Sequence, residues 1–254
     1  MKRTTMARLI SLIAAAAAGC GQADPPTTTG AETTAADMTG GETETGGFQP
    51  GEGELGSFYP LVDGATWTYV AMNDAGQVSG TEIVEATATT FEGGPAFLFV
   101  DNPNGSGEWT ESTIRRSGTA ALRVYKERKT DAGPFELVEY DPGFMRFDDA
   151  WTEIGGKGEL MYQRTETDGM GSTPDVEMRG HIFTVVGLDE SVTVPAGTFD
   201  CIAVERVRTT GMSAGEKVLF WYAAGIGKVR EERPAEGRIE ALTAVSIPGG
   251  AVFP

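Results

Sequence analysis

The chain has 254 residues and a mass of 26.8 kDa, with 20 basic against 37 acidic side chains, a formal charge of −17 and 40% hydrophobic residues. That is enough apolar material for one sizeable core or two small ones, while the acidic excess argues against a nucleic-acid or anionic-lipid surface as partner, because counterion release needs clustered Lys and Arg. Two cysteines and one histidine exclude a zinc ribbon, a disulfide-dense scaffold and a multi-histidine metal centre.

Lys2, Arg3 and Arg8 are the only charges before residue 20. They precede an apolar run from Leu9 to Ala18 that is too short to cross a hydrocarbon core of roughly 30 Å as a helix, so residues 1–19 read as a signal peptide. The run ends Ala17-Ala18-Gly19-Cys20. This segment resembles the lipobox of bacterial lipoproteins, with Ala17 where such boxes usually carry Leu. The resemblance implies that Cys20 is diacylated (a palmitate-type modification) and becomes the mature N-terminus. Several acyl chains, at about 0.8 kcal/mol per buried CH₂, hold a protein at a membrane without a transmembrane helix. By the same resemblance, Gly21 in place of Asp after the cysteine implies an outer-membrane destination in a cell with two membranes.

Residues 21–57 contain nine Gly, three Pro, eight Thr, seven acidic residues and no Lys or Arg. Such a segment cannot bury enough apolar surface to offset chain entropy, so 20–57 is expected to be a lipidated cysteine followed by a disordered tether. As a coil it would hold a domain roughly 35 Å from the lipid. From Phe58 onward the composition reverses. Twenty-one of the 22 aromatics fall there, with 17 basic and 30 acidic residues, so residues 58–254 read as a single domain carrying −13.

Period-two patterning dominates this domain. Strands are expected at 66–70, 82–85, 96–100, 109–114, 121–129, 136–140, 159–165, 176–186, 199–209, 217–222, 228–232 and 238–246. Turn chemistry such as Asn73-Asp74-Ala75-Gly76 and Glu92-Gly93-Gly94-Pro95 lies between them. No long amphipathic helix is visible, although 145–154 has room for a turn or two. About a dozen strands in one domain must curl to hide their edges. The expectation is an all-β, curved antiparallel meander, either a barrel or a half-barrel.

Two strings stand out: Val194-Pro195-Ala196-Gly197-Thr198-Phe199-Asp200-Cys201, and Trp221-Tyr222-Ala223-Ala224-Gly225-Ile226-Gly227-Lys228-Val229. With the opening Phe58-Tyr59-Pro60-Leu61 through Trp67-Thr68-Tyr69, they resemble signatures of a group of uncharacterised bacterial exported β-sheet domains. That resemblance covers about a sixth of the chain and implies a curved antiparallel sheet in a periplasmic or surface setting; it does not imply an enzyme. Physically, Pro195 with Gly197 and Gly225 with Gly227 read as tight turns. Trp221 and Tyr222 must point to opposite faces. Trp67 and Trp221 are the candidate aromatics for lining a ligand groove.

Catalytic chemistry is thinly represented. His181 has no serine elbow near it, and Cys201 has no resolving partner and sits in an apolar strand. Asp148, Asp149 and Glu153 could offer oxygen ligands to Ca²⁺ or an acid/base pair, but their spacing matches no EF-hand. Arg115-Arg116, Arg123 and Lys126-Glu127-Arg128-Lys129 read as a solvated cationic strand face. The reading that follows is a non-enzymatic, lipid-anchored envelope protein without cofactor or bound metal. Its partners would be the membrane through the anchor, and a hydrophobic ligand, a glycan or another envelope protein through the β-domain. The alternatives are an assembly accessory with a filled interior and, more remotely, a carboxylate-based hydrolase.

Overall fold

The computed structural model describes residues 52–253. The expected signal peptide, the Cys20 anchor and the tether up to residue 51 lie outside them. A short helix, α1 (Glu52–Gly56), leads into β1 (Thr66–Asn73), β2 (Val78–Phe91), β3 (Gly94–Asp101), β4 (Trp109–Ser117), β5 (Ala120–Thr130) and β6 (Gly133–Asp148). Then come β7 (Lys157–Thr167), β8 (Asp175–Val194), β9 (Gly197–Arg208), β10 (Lys217–Ala223), β11 (Gly227–Arg233), β12 (Arg238–Ser246) and β13 (Val252–Phe253). Every strand pairs with the next, and β1 also pairs antiparallel with β12, from Thr66↔Ser246 to Asn73↔Arg238. Twelve strands therefore close an antiparallel barrel, with β6 and β7 paired along only part of their length; β13 adds a two-residue pairing at the end of β12.

All twelve expected strands are present, and three, β2, β6 and β8, are much longer than the patterning indicated. β8 continues through the polar break Leu188-Asp189-Glu190, because register shifts at Gly187 and Glu190 and a left-handed Asp189 absorb the extra residues as a bulge. The 145–154 stretch holds no helix: β6 runs to Asp148 and a turn follows.

In a meander successive connections alternate between the two ends of the barrel. The end carrying the β2–β3, β4–β5, β6–β7, β8–β9 and β10–β11 turns is closed by the chain that precedes β1. Arg116, at the end of β4, organises this plug. Its guanidinium donates to both Glu54 carboxylate oxygens (2.6 and 3.0 Å), to the Tyr59 carbonyl (2.9 Å) and to Asp149 (3.3 Å). Asp149 also accepts from the Ser57 hydroxyl at 2.6 Å and the Phe58 amide at 2.9 Å. Residues 52–57, expected within the tether, thus belong to the barrel's closed end.

The three distinctive strings meet there too. Trp67 Nε1 donates to the Ile226 carbonyl at 2.6 Å, the Gly225 amide donates to Ser57 at 2.8 Å, and the Ala196 amide donates to Leu242 at 3.1 Å. Gly225 has φ +71°, and a Cβ on it would stand 2.5 Å from the Leu55 carbonyl oxygen, so only glycine fits. Leu61, Val62, Trp67, Val194, Phe199 and Ile226 pack in one apolar cluster around this end. A second, aromatic cluster sits on the β6–β10 side, where Phe147 meets Trp151 at 5.0 Å and Tyr222 at 4.7 Å between ring centroids. Its members Phe144, Phe147 and Tyr162 lie just beyond the five residues over which β6 and β7 pair, 137–141 with 163–167.

Candidate functional site

The other end, built from the β1–β2, β3–β4, β5–β6, β7–β8, β9–β10 and β11–β12 turns, is not plugged, and the barrel behind it is hollow. Three contiguous cavities lie inside. An inner one of about 100 Å³ is walled by Trp67, Tyr69, Phe99 and Ile114, with Tyr59 and Pro60 of the plug. It shares Glu82 and Asp101 with a second cavity of about 290 Å³ that reaches the mouth at Asn102, Asn104 and Glu108. It shares Arg123 and Arg146 with a third of about 230 Å³, which reaches the mouth at Arg208, Glu216 and Arg233. The larger two fall just below the ~300–1,000 Å³ usual for small-molecule clefts.

The inner cavity has a mainly apolar and aromatic wall, whereas the two outer ones are polar and charged, and the charge is divided. On the β1–β4 and β12 side, burial and then the neighbouring Glu82 carboxylate, against Arg123, push the Asp101 carboxyl up to about 7. Burial also raises Glu82. Such a carboxyl holds its proton into the neutral range and can release it there. Between the two sides sits a balanced group. Lys228 donates to Glu231 at 2.8 Å and to Glu240 at 2.6 Å, and lies 4.7 Å from the Tyr69 ring centroid. Burial alone would raise the Glu231 carboxyl, but Lys228 and Arg233 outweigh it and hold it well below the usual range.

The third cavity is cationic. Arg123, Arg146, Arg179, Arg206, Arg208 and Arg233 line it, opposed by a single carboxylate among its walls, Glu216. Each arrives through ordinary strand geometry. On β9, Arg206 and Arg208 continue the face begun by Ile202 and Val204; on β8, Arg179 and His181 continue that of Phe183 and Val185. On β6 a bulge sets residues 140–143 opposite Val124 alone, and both Tyr140 and Phe144 reach the cavity wall. Burial, reinforced by Arg206, Arg208 and Arg179, pushes His181 down to about 3, so its imidazole stays neutral.

Of the residues singled out from sequence, Trp67 lines the inner cavity. Trp221 stands on the opposite face of β10 from buried Tyr222; its Nε1 donates to Glu190 at 2.8 Å and Arg230 lies 5.6 Å over its ring. Cys20 lies outside the described residues. Asp149 is engaged by the plug, and Asp148 accepts from the Thr119 hydroxyl at 2.6 Å and the Ala150 amide at 3.0 Å. Among the described residues no three His, Cys, Asp or Glu side chains converge as metal ligands would. Cys201 is buried and free, its thiol pushed up to about 12 chiefly by burial. Arg123, expected on a solvated strand face, instead reaches the interior, where the first and third cavities meet. The other five arginines were not singled out. Spacing gave no signal for Arg206 and Arg208, because residues 201–204 of β9 are apolar at every position and the alternation has no readable phase there.

A protein-family profile described as DUF3108-like matches residues 172–236, which take in β8 to β11 and two of the distinctive strings. No curated protein matches the chain. Among solved structures, one from Bacteroides fragilis described as an exported protein with a YmcC-like fold is similar at 15% identity, covering 75% of this chain and 99% of that one, with a TM-score of 0.43. Likeness at that level says nothing of ligand or activity.

Proposed function

We propose that this protein is a non-catalytic binding protein of the cell envelope, anchored through acyl chains on Cys20, whose barrel takes a small ligand into its interior through the open end. The observation that carries this reading is the hollow itself: contiguous cavities reaching one mouth, behind a far end sealed by residues 54–61. An assembly accessory needs only a filled barrel, since closely packed interiors are what stabilise a fold. Polar and ionised walls cost free energy unless something pairs with them, which favours a polar ligand over the hydrophobic one. The signal peptide and lipobox support an extracytoplasmic, outer-membrane setting, with the acidic tether as spacer.

Native mass spectrometry of the full-length lipidated protein, extracted from its own envelope in mild detergent, tests this reading. A mass excess over the lipidated chain that disappears on denaturation is the expected result. A bare lipidated mass in every charge state would remove the ligand. A product that takes up no palmitate analogue and is released in soluble form would remove the anchor.

A further inference from the structure

Six of the twelve arginines beyond residue 58 line one cavity of about 230 Å³ in a chain whose formal charge is −17. Three have carboxylate partners: Arg179 and Arg208 with Glu177, and Arg233 with Glu231. For Arg123, Arg146 and Arg206 no carboxylate lies within 4.0 Å among the described residues. Nε of Arg123, Nε of Arg146 and Nδ1 of His181 are buried without any hydrogen-bond partner. All three residues line this cavity. Leaving a buried polar atom unpaired costs about 1–3 kcal/mol, more for a charged group, so three in one hollow call for a partner.

The arginines are also held in a receptive pose. The Arg206 guanidinium lies 5.3 Å over the Phe144 ring and 5.2 Å over Phe220, and Arg146 lies 5.9 Å from Phe144. For Arg206, stacking occupies the guanidinium face and leaves the N–H edge, the part that grips an oxyanion in bidentate fashion, directed elsewhere, while Arg146 also hydrogen-bonds Tyr59. Burial, opposed by Glu231 but helped by Arg146 and Arg233, pulls Arg206 down to about 10, and it remains charged at neutral pH. By strand position Arg123 and Arg146 lie deepest and Arg208 and Arg233 nearest the mouth.

We infer that this cavity is an oxyanion subsite, holding the phosphate or carboxylate group of the ligand against Arg123, Arg146 and Arg206. The inference rests on the binding-barrel reading and names its ligand class. Elsewhere in the interior cations are matched: Lys228 has two carboxylates of its own. The unmatched charge is confined to the place where the two orphaned arginine Nε donors are.

The test is calorimetric and thermal titration of the full-length, detergent-solubilised protein with inorganic pyrophosphate and, separately, citrate, each against sodium chloride at matched ionic strength. One saturable site and a melting temperature raised by several degrees are expected for at least one of them. Response to pyrophosphate alone assigns a phosphate-bearing ligand; response to citrate alone assigns a carboxylate. Arg206→Gln should melt no lower than wild type without anion and bind at least tenfold more weakly; Arg123→Gln gives the same reading if Arg206→Gln fails to fold. Arg115→Gln should bind as wild type, since Arg115 is partly exposed and its nearest carboxylate is Glu92 at 3.7 Å. Equal loss in Arg115→Gln would overturn the site. So would the absence of any anion response in a protein that carries a neutral adduct by native mass spectrometry, and in that case the binding reading stands. An empty barrel with no anion response overturns both.

Discussion

Arg116 and Arg206 are the same residue in the same barrel, and the difference between them separates its two ends. Arg116 at the closed end meets two carboxylates, a hydroxyl and two carbonyls, and ties residues 54–59 to β4 and to the β6–β7 turn. Arg206, toward the open end, stacks on two rings and has no carboxylate within 4.0 Å among the described residues. A part-buried charge with its partners in place holds a structure together, whereas one without them sets a demand that something else must meet. One end of this barrel is built for stability and the other for an absent counter-charge.

Substitutions at the closed end should therefore cost stability, and substitutions among the unmatched groups should not. The largest effect is expected from Trp67→Ala. It empties a buried indole site stacked on Phe99 at 5.7 Å and strands the Ile226 carbonyl, so chemical denaturation should show a loss of ~3–5 kcal/mol. Next comes Arg116→Ala, which leaves Glu54 and Asp149 without their cation. A loss of roughly 2–3 kcal/mol is expected, with faster proteolysis ahead of β1; unchanged stability and unchanged cleavage would contradict the plug.

A further effect has the opposite sign and depends on pH. Asp101 keeps its proton up to about pH 7 in the folded barrel, against 3.8 for a free carboxyl. Because the folded pKa is raised, the unfolded chain binds fewer protons between those values, and wild type loses stability as pH climbs from about 4 to 7. Asp101→Asn removes that loss. Its melting temperature should exceed wild type at pH 8 and converge on it toward pH 4; a gain independent of pH would show that Asp101 is not held protonated by its surroundings.

Much of the fold was legible because period-two alternation survives wherever one face of a strand is wet. β1 reads Trp67, Tyr69 and Ala71 inward with half-buried Thr66, Thr68 and Val70 between them, and it folds that way. The candidate site was not legible in the same manner. Residues 201–204 of β9 are buried on both faces, so alternation vanishes just before Arg206 and the phase that would send it inward is lost. Trp221 shows the same ambiguity: with Phe220 and Tyr222 flanking it, spacing said that it opposes them but not which face is the interior. Composition misled in a subtler way, since a strongly acidic total concealed an interior that is locally cationic.

By itself the sequence determined the twelve barrel strands, the antiparallel meander and the turns at Gly197 and Gly225. These follow from local steric and solvation preferences that act between near neighbours. Closure of β1 on β12, the plugging of one end by residues before β1, and the gathering of six arginines from β5, β6, β8, β9 and β11 into one cavity were decided only by the tertiary structure. Those depend on which residues far apart in the chain share a face and how many counter-charges reach them. Net charge and spacing do not encode that quantity, because Coulomb energy depends on distance and burial rather than on order along the chain.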